Sequence, residues 1–89
     1  DANLMRAANL YEHEKIHVLN VSNGSRLETY VIKAPGGSGE VCVNGAAAHL
    51  VNTGDLIIIV SYCQINDSEA EVFKPTIVLV NENNEISNK

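Results

Sequence analysis

The hydrophobic positions of this chain change period several times, and each change marks an element. In "DANLMRAANLYEHEK" the apolar residues Leu4, Met5 and Ala8 recur at helical spacing. Asp1 stands where a capping carboxylate would accept from a free backbone N–H, so a short helix is expected over residues 2–8. "KIHVLNV" (15–21) is rich in β-branched residues and predicts a strand. "SNGS" (22–25) carries the Asn-Gly pair of a tight turn, and "LETYVIKA" (27–34) is the return strand. "PGGSG" (35–39) predicts a second turn, followed by a third strand in "EVCVN" (40–44). "LIIIVSYC" (56–63) is apolar at consecutive positions, so both of its faces need cover. "DSEAEVF" (67–73) suits one helical turn capped by Asp67 or Ser68, and "TIVLV" (76–80) suits a last strand. The polar tail from about residue 81 is expected to fray.

This set describes one mainly β domain with short helices over residues 1–89, and the domain is incomplete. Five strands in an open sheet would leave long apolar edges, which natural proteins remove by closure or by pairing. Residues outside this chain, other subunits, or both are expected to complete a barrel.

Composition sharpens that picture. At 89 residues and 45% hydrophobic, the chain can build only a thin core, and association is a natural way to finish it. A net charge of −5, with Lys33 and Lys74 isolated, opposes tracking of a phosphate backbone, so no nucleic-acid partner is expected. No apolar run reaches the length of a membrane span and no signal-peptide pattern opens the chain, so no membrane partner is expected. Cys42 and Cys63 lack CxxC spacing and fit buried free thiols in a reducing compartment better than a disulfide, which suggests the cytoplasm.

Three short matches to known motifs lead nowhere. "HEKIH" (13–17) fits HExxH, but that zinc chemistry needs both histidines on one helical face. Here His17 lies in a strand, where four residues separate the side chains by about 13 Å. No third ligand has a suitable spacing, so no metal site is assigned. "NGS" (23–25) fits a glycosylation sequon without a secretory signal, and the turn explains it. "GGSG" (36–39) lacks the Lys-Ser/Thr of a phosphate loop and reads as a hairpin turn.

Two other stretches are more informative. "VCVNGAAAHLVNTGD" (41–55) places three alanines after a strand-like run and ends on Gly-Asp, a stretch with almost no side chains. In "RLETY" (26–30), alternation puts Arg26, Glu28 and Tyr30 on one strand face and Leu27, Thr29 and Val31 on the other. An arginine and a tyrosine so spaced can hold an anion and deliver a proton. Taken alone, they are better described as an arginine at a turn exit and a tyrosine on a half-buried face.

In combination, "NVSNGSRLETYVI", "VCVNGAAAHLVNTGD" and "IIIVSY" resemble the pyruvoyl-dependent aspartate 1-decarboxylases, with similarity from Asp1 through "KPTIVLVNENNEI". The resemblance implies a six-stranded double-psi β-barrel with short helices, assembled as a homotetramer. The missing N-terminal chain and oligomerisation would complete it. It implies decarboxylation of L-aspartate to β-alanine and carbon dioxide through a Schiff base, supplying pantothenate synthesis. The cofactor would be a covalently bound pyruvoyl group made when a proenzyme cuts itself at a Gly-Ser bond. That serine lies upstream of Asp1, and Gly24-Ser25 matches the turn before the arginine instead. The partners implied are L-aspartate and the smaller N-terminal chain of the same proenzyme.

Residue by residue, Tyr30 matches the family's proton donor and Arg26 its carboxylate holder. Thr29 matches a residue of self-processing and substrate contact, and Asn44 a residue that hydrogen-bonds in the site. Gly45, Ala46 and Ala47 match a segment that touches substrate with its backbone, which would explain the missing side chains. Leu19 and Ile58 match pocket-wall positions, with Leu19 standing where some members carry an aromatic residue. His49 stands where others often carry a basic residue. The alternative function is a non-catalytic double-psi barrel serving as a binding or assembly module.

Overall fold

A computed structural model describes residues 1–87. Helix α1 spans Ala2–Ala8, and the Asp1 carboxylate accepts from the Asn3 backbone N–H at 2.7 Å, as expected of its cap. Asn9 ends the helix in the left-handed region, at φ 59°. The same carboxylate also accepts from Gly37 and Gly39, so it ties the second turn to the helix start.

Strands β1 (Lys15–Asn20), β2 (Arg26–Tyr30) and β3 (Ile57–Val60) form one antiparallel sheet in the order β2-β1-β3. The β1–β2 hairpin turns through Gly24 at φ 80°, a conformation that costs glycine nothing. The pairing sets Leu19 against Arg26 and Val18 against Leu27, while across the other edge Leu19 meets Ile58 and Val18 meets Ile59. One face of the sheet carries the core: Ile16, Val18, Leu27 and Val31 are buried, with Met5, Leu10, Ala47, Val51 and Ile57 against them. A core of four buried apolar side chains is small for this length. The Cα radius of gyration, 13.8 Å, exceeds the roughly 12 Å of a compact domain of this size.

Several expectations require correction. Residues 40–44 do not form a strand, and among the described residues 76–80 contribute an isolated bridge between Val80 and Ile86 rather than a named strand. Strand propensity alone does not supply the neighbour that a strand's N–H and C=O groups need, and neither segment joins the three-stranded sheet. β2 stops at Tyr30 because its continuation turns to the 11–14 loop, with His13 N–H donating to the Val31 carbonyl. β3 is shorter than residues 56–63, and Leu56 N–H donates instead to Ser22 Oγ at 2.9 Å. The short helix α2 covers Asp67–Ala70 with Asn66, not Asp67 or Ser68, at its N-cap position.

The polar tail is hydrogen-bonded as far as Ser87. Its N–H donates to the Leu79 carbonyl, and Asn84 Nδ2 donates to the Gly39 carbonyl. Cys42 and Cys63 are free, as read from the sequence, but both are exposed rather than buried. They belong to segments that the described residues leave exposed. The same holds for the run expected to need cover on both faces, where Leu56, Ile58 and Ile59 stand 66%, 50% and 42% exposed. No helix among the described residues is long and apolar enough to cross a membrane.

Candidate functional site

The face of the sheet opposite the core is laid out in rows across the strands. Lys15 pairs with Tyr30, His17 with Glu28 and Val60, and Leu19 with Arg26 and Ile58. Directly paired residues share a face, so Arg26, Leu19 and Ile58 stand side by side at one end and Tyr30 at the other. About 13 Å of strand separates the Arg26 and Tyr30 Cα atoms. Among the described residues, no hydrogen bond or ion pair engages the Arg26 guanidinium or the Tyr30 hydroxyl. The Tyr30 ring faces the His13 ring, centroid to centroid at 6.4 Å.

Thr29 falls on the core face, paired with Ile16. The alanine stretch is on that side too. Residues Gly45–His49 form a 3-10 helix, closed by Leu50 N–H donating to the Ala47 carbonyl, and Ala47 packs against the core. Gly45 enters it at φ 65°. Asn44 precedes it in extended backbone, exposed, with no capping bond from its side chain. The expected site residues are therefore divided by the sheet. Arg26, Tyr30, Leu19 and Ile58 lie on one side, with Thr29 and the 45–47 turn on the other. The surface depressions lined by Gln64–Asn66 and Glu69, and by Asp1, Gly37–Gly39 and Asn83–Ile86, hold none of them.

What joins the two motifs is a set of side chains that the sequence reading passed over. Asn20 is the most buried polar residue, at 2% exposure. Its Nδ2 donates to the Leu50 carbonyl at 3.2 Å and to Asp55 Oδ2 at 2.8 Å, and its Oδ1 accepts from Ser22 N–H at 2.9 Å. Asn23 Nδ2 donates to the same Leu50 carbonyl at 3.1 Å. Asp55 Oδ2 also accepts from Asn52 N–H, and that bond, then the one from Asn20, holds the carboxyl below its usual range. The asparagines of "NVSNG" thus anchor the loop that carries the alanines. The signal in the sequence was an asparagine at a core-facing strand position, where an unpaired amide would be costly.

"HEKIH" does not gather a metal site. His13 sits in a turn at φ 73°, His17 is edge-on to Tyr62, and among the described residues no three His, Cys, Asp or Glu side chains could share an ion.

Comparison with known proteins then decides the family. Residues 1–87 match the sequence model of the aspartate decarboxylase family. The chain belongs to this family. Its relatives include the aspartate 1-decarboxylase of Corynebacterium efficiens, 54% identical over 86 residues, which are 97% of this chain and 63% of that protein. That of Thermoanaerobacter pseudethanolicus is 50% identical over 84 residues, 94% of this chain and 72% of the relative. That of Caldicellulosiruptor bescii is 54% identical over 86 residues, 97% of this chain and 67% of the relative. The chain thus spans about two thirds of the length of these aspartate decarboxylase family members, and less than that of the first.

Proposed function

We propose that the full-length protein removes the α-carboxylate of L-aspartate to give β-alanine and carbon dioxide, supplying pantothenate synthesis in the cytoplasm. The names of its relatives support the reaction. The observation that carries it is the pair of uncommitted groups on one strand face, the Arg26 guanidinium and the Tyr30 hydroxyl, beside the apolar Leu19 and Ile58.

In this reading Arg26 holds a substrate carboxylate through two parallel N–H bonds. The Tyr30 hydroxyl gives its proton to the carbon that has lost carbon dioxide, and Gly45, Ala46 and Ala47 present backbone where a side chain would fill the space of the substrate. Asn44 and Thr29 supply polar contacts from the 3-10 helix side, with Thr29 also serving self-processing. These residues fit a carbonyl cofactor, because their donors are uncommitted and the wall beside them is apolar. A pyruvoyl group, which the family resemblance derives from a serine outside residues 1–89, would supply the electron sink for decarboxylation when present. No metal enters the proposed chemistry.

Since the sheet divides the site residues, the site is completed between copies. We assign the assembly as a homotetramer of six-stranded double-psi barrels, each including the smaller N-terminal chain of its proenzyme. The uncovered apolar run around Ile58 supports such an assembly.

The test uses the full-length protein. Intact mass is expected to show two chains, the larger beginning with the pyruvoyl group, and aspartate is expected to yield β-alanine. Arg26→Ala removes a charge-assisted bond worth about 1.5–3 kcal/mol, so KM should rise about tenfold to a hundredfold. Tyr30→Phe should lower kcat with little change in KM. A fully processed Tyr30→Phe protein working at the parent rate would remove Tyr30 as donor. An unprocessed chain with no turnover would favour the non-catalytic reading.

A further inference from the structure

Glu28 sits between Arg26 and Tyr30 on the same face of β2, two residues from each. Its Cα is about 7 Å from that of Arg26, well within reach of two long side chains. A carboxylate so placed is an internal competitor for any anion that Arg26 should bind. It is nevertheless turned away. Glu28 Oε1 takes Lys15 Nζ at 3.1 Å, and Oε2 faces Nε2 of His17, directly opposite in the register, at 3.6 Å. Its carboxyl is held below its usual range first by the hydrogen bond from Lys15 and by the charge of Lys15, with His17 adding less. The His17 ring is itself braced edge-on against Tyr62, at 5.2 Å between centroids.

We infer that Lys15, with His17 in support, is a positioning residue that keeps Glu28 off Arg26 and so leaves the guanidinium open to a substrate carboxylate. The inference rests on the reading of Arg26 given above and concerns what protects that role. Lys15 touches no substrate in this account. Its effect passes entirely through Glu28, which is what makes it separable from general stabilisation. Both partners are solvent-exposed, so the competition is worth only what an exposed ion pair is worth, about twofold to fivefold in apparent affinity.

Steady-state kinetics on the full-length, processed enzyme test this. Lys15→Met should raise KM for aspartate about twofold to fivefold with kcat unchanged, because Glu28 then turns to Arg26. Lys15→Arg should restore the parent KM, since it keeps the cation. The double variant Lys15→Met with Glu28→Gln should also have the parent KM, because the competitor is gone; a merely structural role for Lys15 would leave the defect in place. Parent KM in Lys15→Met, or an equal rise with and without Glu28→Gln, overturns the inference. Arg26→Ala separates the two levels. If it raises KM while Lys15→Met does not, only the role of Lys15 falls; if it leaves KM unchanged, the anion-holding role of Arg26 falls and the inference with it.

Discussion

Replacing Asn20 should do more damage than any other single polar change, and its pH dependence should reveal why. Asn20→Ala removes three hydrogen bonds of a buried side chain, at about 1 kcal/mol each, so a loss of about 3 kcal/mol is expected. That is a large part of the 5–15 kcal/mol that typically separates folded from unfolded protein. Asn20→Asp keeps the shape and the acceptor for Ser22 but replaces the donor facing Asp55 with a second carboxylate. In the parent, the Asp55 carboxyl is depressed, so its stabilisation is present above the ordinary value of 3.8 and is lost as pH falls through the lower folded value. In Asn20→Asp the sign reverses. Two adjacent carboxylates share a proton, one folded pKa is raised, and stability is recovered as pH falls through it. Urea midpoints of the full-length protein from about pH 4.5 to pH 8 read the difference directly. Asn20→Asp should gain stability on acidification across that range while Asn20→Ala and the parent do not. A flat profile for Asn20→Asp, or a parent-like midpoint for Asn20→Ala, would refute the anchoring role.

Three further outcomes are expected. Arg26→Ala mixed with Ala46→Leu should, on co-refolding, regain parent-like KM in about a quarter of the sites if the proposed site draws these two residues from different copies; kinetics showing no such fraction would place them in the same copy. Gly45→Ala should destabilise by about 1–2 kcal/mol in thermal unfolding, since φ 65° disfavours a Cβ even though open space surrounds it. His13→Ala should leave metal content unchanged, measured by elemental analysis, and a stoichiometric ion lost with that variant would restore the "HEKIH" reading.

The parts of the fold that local rules control were legible in advance. Asp1 capping α1, the Asn-Gly hairpin and the alternation that puts Arg26 and Tyr30 on one face follow from spacing and turn chemistry over a few residues. Residues 40–44 and 76–80 were not, because strand propensity there describes a surface that fits a sheet and not the presence of a neighbouring strand. Within the candidate site, residue types pointed to Arg26, Tyr30 and the alanines. Their separation by the sheet was invisible, since it depends on which face Ala47 meets. Asn20 and Asp55, 35 positions apart, were missed for the same reason: their bond exists only once β3 lies beside β1.

The two amides that converge on the Leu50 carbonyl also set how the alanine turn can be remodelled. Leu50 is pinned by Asn20 and Asn23, so it is a fixed post between two separate arcs of main chain, 45–49 and 51–54. Lengthening the second arc shifts nothing in the first as long as both amides keep their grip. A redesign that changes the space beside the alanines must therefore act within 45–49 itself. Grafting the whole loop onto another sheet would fail unless the hairpin asparagines travelled with it, because the unit of transplantation is the loop together with its post.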